Sequence, residues 1–293
     1  MASLAKTVVA TGITSGLGFE AAQQLLTQES PYRIILGARD VAETEAAFDK
    51  IPYDRSANSV TVLPLELLDL KNVEKFSRLV IDKVGVSKID YLMINAAMIT
   101  AADGPGPHGS SWCHAAVVNH FAQHYLVHLL REKLVSSQTR IVFVSSGAIR
   151  NVPDPRTLTK DLAANSGAET WHIYSGSKFV QLLGAHWWRR QLAGQCRVVA
   201  VSPGLIPNTG LGRSTGMNLT MDMPDAKTVP EGARSILAAF FRDDFPSDPE
   251  RIFLTSWGEW WEKSVYEKTL DKDLQDQWCP SKDAMEKEAR SLT

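Results

Sequence analysis

Tyr174 and Lys178 are the residues of this sequence whose types and spacing most directly suggest proton transfer. Both lie in a segment with a helical pattern, where residues four positions apart share one face. A free phenol titrates near pH ~10 and is a poor acid or base at neutral pH. A nearby cation favours the phenolate and lowers that pKa, so the pair predicts a proton-transfer site. Because such a pair also arises by chance, the prediction depends on the rest of the chain.

Short apolar runs rich in β-branched residues alternate with helical patterns along the chain. Strands are predicted at 7–11, 33–37, 60–65, 91–94, 140–145, 197–202 and 252–255. Helices are predicted at 18–28, 41–50, 72–84, 111–134, 170–192 and 230–242. Continuous apolar strands are typical of a parallel sheet that is buried on both faces. The pattern predicts an α/β fold: a doubly wound parallel sheet of about seven strands with helices on both faces.

The composition argues against several classes of protein. Hydrophobic residues make up 44% and charged residues 22%, and a net charge of -2 gives no electrostatic signal for nucleic acid or an anionic membrane. No run approaches the roughly 20 consecutive apolar residues of a membrane span. The N-terminal residues lack the pattern of a secretory signal, and three widely spaced cysteines form neither a disulfide framework nor a zinc motif. A cytoplasmic location is therefore expected.

A glycine-rich turn follows the first predicted strand and opens the first helix. In its sequence, TGITSGLG, the glycines let the backbone approach a pyrophosphate at a helix N-terminus. At the end of the second strand Arg39 favours NADP, because an arginine there accommodates a 2′-phosphate, and Ser15 is a second candidate contact. Asp40 keeps the NAD alternative open, unless it caps the next helix.

Further candidate residues follow the later strands, since open α/β sheets bind ligands beyond the carboxyl ends of their strands. Asp69 and Leu70 could contact an adenine ring, and Ser146 is placed to point at a site. The remaining candidates at these strand ends are Asn95, Ala96, Ala97, Pro203 and Gly204.

Together these motifs resemble the short-chain dehydrogenase/reductase family, whose order and spacing they follow from residue 7 to about residue 253. The resemblance implies a Rossmann fold that binds NADP(H). It implies one catalytic domain over 1–293, with a substrate lid around 205–229 and a C-terminal extension from about 257. The catalytic residues that it implies are Asn119, Ser146, Tyr174 and Lys178. The implied cofactor contacts are Gly12, Thr14, Ser15, Gly16, Leu17, Gly18, Arg39, Asp69, Leu70, Asn95, Ala96, Ala97, Tyr174, Lys178, Pro203, Gly204, Ile206 and Thr209.

Within that family, several stretches are similar to light-dependent protochlorophyllide reductase and its non-photosynthetic relatives. They include the long gap between Ser146 and Tyr174 and the segment SPGLIPNTGLGR. Leu205 and Val180 stand where the photoenzyme usually has cysteines. The resemblance is therefore to a dark, NADPH-using relative.

The resemblance implies an NADPH-dependent ketoreductase or alcohol dehydrogenase. In it Tyr174 protonates the developing alkoxide, Lys178 lowers the pKa of Tyr174 and binds the nicotinamide ribose, Ser146 holds the carbonyl oxygen, and Asn119 orders a relay water. The residues leave two alternatives open. One is reduction of an activated C=C or C=N bond at the same site. The other is a non-catalytic dinucleotide sensor on the same fold, because fold does not determine function.

Apolar residues on both sides of the expected site bear on the substrate. Met217 and Met221 follow the sixth strand, Met98 and Ile99 follow the fourth, and methionine fills irregular apolar spaces well. They predict a bulky, largely apolar substrate, such as a polycyclic or aromatic ketone of specialised metabolism. His120 and His124 lie four apart without a third ligand, so no metal is predicted. The oligomeric state stays open.

Overall fold

The centre of the computed structural model, which describes residues 5–207, 209 and 219–292, is a parallel β-sheet. Its seven strands lie in the order β3-β2-β1-β4-β5-β6-β7. They are β1 (Lys6–Ala10), β2 (Tyr32–Ala38), β3 (Ser59–Pro64), β4 (Tyr91–Ile94), β5 (Arg140–Val144), β6 (Arg197–Val201) and β7 (Phe253–Leu254). The prediction of a doubly wound parallel sheet is confirmed. The edge strand β7 has two residues rather than the four predicted, in keeping with the short edge strands of natural sheets.

Helices cover both faces of this sheet. They are α1 (Gly16–Leu26), α2 (Val41–Asp49), α3 (Leu70–Val84), α4 (His114–Ala116), α5 (Ala122–Ser137), α6 (Leu158–Asp161), α7 (Thr170–Gln191), α8 (Val229–Phe241), α9 (Lys263–Tyr266), α10 (Lys272–Trp278) and α11 (Lys282–Ser291). Between α4 and α5 a π-helical turn, Val117–Phe121, interrupts the single helix that the sequence predicts. Within the described part of the chain, no helix has the length and apolar character needed to cross a bilayer.

The core consists of two apolar layers, one on each side of the sheet. Successive side chains of a strand point to opposite faces, so Val8 and Val9 of β1 belong to different layers. The first layer packs under α3, α5 and α7, and the second packs under α1, α2 and α8. This arrangement explains why the strands read as continuous apolar runs.

The C-terminal helices α10 and α11 pack against α7 and α5 and cover a row of buried histidines. The ring Nε2 of His120 lies 2.7 Å from the carbonyl oxygen of Trp278, and Nε2 of His124 lies 2.9 Å from that of Pro280. Trp188 donates its indole N–H to Nδ1 of His124 at 3.0 Å. Since a carbonyl only accepts, His124 carries its proton on Nε2. These histidines are hydrogen-bonding partners of the C-terminal segment.

Burial makes this histidine row sensitive to acid. It lowers the pKa of His120 to about 4, and it lowers that of His124 well below its usual value. The unfolded chain therefore takes up protons first as pH falls, and stability present above pH ~6.5 is lost between that value and pH ~4.

We expect each such histidine to contribute up to ~1.4 kcal/mol per pH unit to this loss. His120→Gln can still donate to Trp278 but does not titrate, so its stability should fall less steeply. The measurement is the free energy of unfolding in urea at pH 7, 6 and 5. Equal slopes for the wild type and the variant would contradict the assignment.

Candidate active site

A cleft of about 570 Å³ opens at the carboxyl ends of strands β1 to β6. Its size is that of a small-molecule site. It is lined by most of the predicted cofactor and catalytic residues, namely Gly12, Thr14, Ser15, Gly16, Leu17, Gly18, Arg39, Asn95, Ala96, Ala97, Ser146, Tyr174, Lys178, Pro203, Gly204, Ile206 and Thr209. The sheet thus brings together residues from positions 12 to 209.

The glycine turn between β1 and α1 forms one wall of this cleft. Gly12 has φ +66°, and a Cβ there would overlap the backbone of Ala96. Gly16 has φ +56°, a conformation that favours glycine, and it faces open space at the start of the helix. The first turn of α1 contains no acidic residue, and Ser15 makes no side-chain capping bond. The positive end of the helix is thus unopposed and fits the pyrophosphate of a dinucleotide.

A hydrogen-bonded clamp holds the ends of β1 and β4 together. The Thr11 hydroxyl donates to Oε1 of Gln123 at 2.8 Å and accepts the backbone N–H groups of Asn95 and Ala96, both at 3.2 Å. Gln123 donates from Nε2 to the carbonyl oxygens of Ala96 and Val118, both at 2.9 Å. The π-helical turn brings Gln123 to this place, and π-helical turns are frequent at functional sites. The clamp fixes the cleft backbone beside Gly12.

Arg39 and Asp40, which follow β2, have different surroundings: Arg39 lines the cleft, and Asp40 caps α2. Arg39 is exposed and lines the cleft, and no carboxylate in the described ranges pairs with it. Asp40 is the N-cap of α2, where its side chain accepts the backbone N–H of Glu43 at 2.8 Å. Asp40 therefore has a structural role, as the sequence allows. Arg39 remains available for a ligand.

Asp69 and Leu70 are not among the residues that line the cleft, although the adjacent Leu68 is. Asp69 is the N-cap of α3, and its carboxylate accepts the backbone N–H of Lys71 at 2.9 Å. Glu66 lines the cleft instead, within the run of residues 65–68 that joins β3 to α3. The acidic residue of the cleft lining here is therefore Glu66, whose Oε1 accepts the backbone N–H of Leu68 at 2.9 Å.

Ser146, Tyr174 and Lys178 meet at the floor of the cleft. Ser146 follows β5 and hydrogen-bonds to the phenol of Tyr174, whose side chain is 6% exposed. Lys178 is 1% exposed, and its ammonium donates to the carbonyl oxygen of Val144 at 2.8 Å and to Oε1 of Gln181 at 3.2 Å. The helix α7 supplies both the phenol and the ammonium, as their spacing predicts.

The acidities of this group differ from the expectation for an isolated pair. Burial raises the pKa of Tyr174, although the Ser146 hydrogen bond opposes the shift. Burial also lowers the pKa of Lys178 to about 7. The ammonium donates to Val144 and Gln181 rather than to the phenol, so desolvation outweighs the predicted lowering of the Tyr174 pKa. The phenol is neutral at pH 7, which is the form that can donate a proton.

Asn119 lies behind the cleft rather than in its wall. Its Nδ2 donates to the carbonyl oxygen of Met98 at 3.0 Å and to Oγ of Ser177 at 2.9 Å, and its Oδ1 accepts the N–H of Met98 at 2.8 Å. These bonds tie the cleft wall at Met98 to α7. The predicted water relay through Asn119 stays a prediction.

The apolar end of the cleft is lined by Met98 and Ile99, by Leu205 and Leu219 of the segment predicted as a substrate lid, and by Trp171, which the sequence analysis does not single out. The Trp171 ring stacks on Tyr174, with ring centroids 5.4 Å apart, and is 36% exposed. Met221 is 53% exposed and is absent from the cleft lining. Met217 lies outside the described residues.

Sequence reasoning misses Glu66, Gln123 and Trp171, and each has a signal that is visible afterwards. Glu66 directly follows an apolar strand. Gln123 is one turn beyond Asn119 in the same helical segment. Trp171 is three residues before Tyr174 and thus on its face of α7.

Comparison with known proteins gives the family. A family profile described as short chain dehydrogenase matches residues 6–156. A short-chain dehydrogenase/reductase of Pestalotiopsis microspora is 54% identical over 97% of this chain and 99% of its own. Human retinol dehydrogenase 12 is 30% identical over 79% of this chain and 72% of its own. The crystal structure of an NADPH-bound carbonyl reductase from chicken fatty liver shares the fold, with a TM-score of 0.66 and 18% identity over 88% of this chain and 98% of its own.

The protein belongs to the short-chain dehydrogenase/reductase family of oxidoreductases, which use nicotinamide dinucleotides. Its relatives include retinol-dehydrogenase-like proteins. The narrower resemblance to protochlorophyllide reductase stays a prediction.

The different places of Asp69 and Glu66 can be tested by substitution. Asp69→Ala removes a helix cap and should lower stability by about 0.5–2 kcal/mol without changing the Kd for NADPH. Glu66→Ala removes a cleft-lining side chain and should raise that Kd about threefold to tenfold, the effect of one hydrogen bond. Thermal unfolding and fluorescence titration measure the two effects. The reverse result would restore Asp69 to the site.

Proposed function

We propose that this protein is an NADPH-dependent oxidoreductase that reduces the carbonyl group of a bulky, largely apolar substrate or oxidises the corresponding alcohol. The observation that carries the proposal is the meeting of Ser146, Tyr174 and the buried ammonium of Lys178 in the cleft that the glycine turn borders. A hydroxyl donor, a neutral phenol and a cation at one point suit reduction of a carbonyl.

The three side chains have distinct roles in this reaction. Bound NADPH supplies the hydride. Ser146 donates a hydrogen bond to the carbonyl oxygen, and Tyr174 gives its phenolic proton to that oxygen as negative charge develops on it. The Lys178 ammonium stabilises the phenolate that remains, because an adjacent cation favours the charged form of a phenol. In the reverse direction Tyr174 takes the proton back.

Arg39 supports NADP rather than NAD as the cofactor. Its guanidinium is exposed at the end of β2 and lines the cleft, while Asp40, the acidic neighbour, is engaged in capping α2. A guanidinium recognises phosphate through charge-assisted, often bidentate hydrogen bonds.

The lining near Tyr174 supports an apolar substrate. Met98, Ile99, Trp171 and Leu219 surround that end of the cleft. Among the cleft-lining residues that the structure describes, the charged ones are Arg39, Glu66 and Lys178, so none there would clamp the carboxylate of a small keto acid. The exposed face of Trp171 suits a planar aromatic or polycyclic ketone, since aromatic stacking adds to the burial of apolar area.

One assay distinguishes the proposed function from two alternatives, namely reduction of a C=C or C=N bond and dinucleotide sensing without catalysis. An NADPH-oxidation screen over aromatic ketones, small keto acids, enones and imines separates carbonyl reduction from reduction of C=C or C=N bonds. Turnover of the large ketones supports the proposal. Tight NADPH binding without any turnover would favour a dinucleotide sensor instead.

Tyr174→Phe should reduce kcat for a ketone substrate by roughly 10²–10⁴-fold, because it removes the proton donor. The Kd for NADPH should stay within about twofold, since the ring is retained. Tyr266→Phe is the matched control, because it deletes a buried hydroxyl without a hydrogen-bond partner in the described structure. Stopped-flow and steady-state assays measure both variants. A near-wild-type rate for Tyr174→Phe would mean that another group protonates the product.

Arg39→Ala should raise the Kd for NADPH tenfold or more, because a hydrogen bond to a charged group contributes about 1.5–3 kcal/mol. The Kd for NADH should change little. Arg55→Ala is the control, since Arg55 pairs with Asp49 on the surface. Calorimetric titration with both dinucleotides measures the difference. Equal weakening of both would remove the support for NADP.

A further inference from the structure

Lys178 is a fully buried cation whose hydrogen-bonding partners are neutral. Its ammonium donates to the carbonyl oxygen of Val144 on β5 and to Oε1 of Gln181, one turn further along α7. No carboxylate in the described part of the chain pairs with Lys178. The acidic residue of the cleft lining, Glu66, follows β3, whereas the Lys178 ammonium lies at β5. Two neutral dipoles thus stabilise a charge that burial disfavours.

The orientation of the Gln181 amide follows from this contact. An ammonium has only N–H donors, so the amide must present its oxygen to Lys178. The side chain is 1% exposed, and its Nε2 has no hydrogen-bond partner in the described structure. A buried side-chain amide with an unpaired NH₂ group destabilises a fold unless a hydrogen bond to its carbonyl oxygen compensates. The bond to Lys178 is the compensation that the structure shows.

The neighbouring polar groups are engaged elsewhere. Asn119 bonds to Met98 and Ser177, and the Nε2 atoms of His120 and His124 face the carbonyl oxygens of Trp278 and Pro280. These residues of the adjoining helix line a small internal cavity together with Gln181, and burial keeps both histidines neutral at pH 7. On α7 the other titratable group facing Lys178 is Tyr174. Among the described residues, Gln181 is thus the one whose side chain accepts a hydrogen bond from the ammonium.

We propose that Gln181 is a positioning residue that keeps Lys178 charged and fixed beside Tyr174, and this inference rests on the proposed reductase function. Lys178 supports Tyr174 only as an ammonium, because a neutral amine does not stabilise a phenolate. With a pKa of about 7, Lys178 is close to losing its proton under neutral conditions. The Oε1 atom of Gln181 therefore sets the pH range over which the site works.

Two near-isosteric substitutions separate this role from packing. Gln181→Met keeps the length of the side chain but removes the acceptor, and it should lower the pKa of Lys178 by roughly one pH unit. Gln181→Glu places a carboxylate at the same atom, and it should raise that pKa. The control is Ser175→Ala, which removes a buried hydroxyl of α7 without a described partner and should leave the pKa unchanged.

The readouts are the Lys178 ¹³Cε shift between pH 5 and 11 and the pH profile of kcat for ketone reduction. The alkaline limb of the profile reports an apparent pKa of the Tyr174–Lys178 pair. It should move to lower pH in Gln181→Met and to higher pH in Gln181→Glu, while the Kd for NADPH changes less than about threefold.

Folded Gln181→Met protein that titrates as the wild type does would overturn the proposal, whatever the glutamate variant does. The NMR titration needs no substrate. If the wild type reduces no ketone, the proposed function fails, and the shift of the Lys178 pKa still decides the role of Gln181.

Discussion

The close approach of the β1 and β4 backbones at Gly12 and Ala96 is the constraint on which the cleft depends. A side chain at position 12 would overlap Ala96, and the positive φ of Gly12 turns the chain over the start of α1. Thr11 and Gln123 hold the two strand ends at that distance through four hydrogen bonds, two of which the Thr11 hydroxyl accepts. Because the glycine wall and the cleft backbone at Asn95 and Ala96 both start from these strand ends, a shift there would displace the surface proposed to hold the pyrophosphate.

The helix α7 places the Lys178 ammonium in the protein interior, where burial disfavours a charge. Lys178 and Tyr174 are both buried, and burial moves both pKa values toward the neutral forms. With a pKa of about 7, Lys178 is close to losing its proton under neutral conditions, and its ammonium donates to the dipoles of Val144 C=O and Gln181 Oε1. Tuning of this kind is how one fold conducts acid–base chemistry near pH 7.

Much of the fold could be predicted from the sequence, because the signals are local. Apolar runs of strand length gave the order of the elements, and glycine spacing and the four-residue interval of Tyr174 and Lys178 located the cleft. Features set by distant contacts could not be predicted. Whether Glu66 or Asp69 lines the cleft depends on how the segment between β3 and α3 lies against the other strand ends. The position of the Lys178 ammonium depends on its hydrogen bond to Val144, which lies 34 positions earlier. The roles of His120 and His124 depend on the carbonyl groups of Trp278 and Pro280. These lie in the C-terminal segment, where the sequence analysis finds no motif.

The bonds between the histidine row and the C-terminal helices bear on how the chain folds. The contacts of His120 with Trp278 and of His124 with Pro280 span 158 and 156 positions, and the Thr11–Gln123 bond spans 112. Closing such long loops costs entropy before the contacts can compensate, so proteins rich in distant contacts fold slowly. During synthesis, which proceeds from the N-terminus, α5 must form while its covering segment has not yet been made. We therefore expect a nascent chain to expose the apolar surface around Trp188 until residues 278–280 have been made, and to need protection from aggregation for that time.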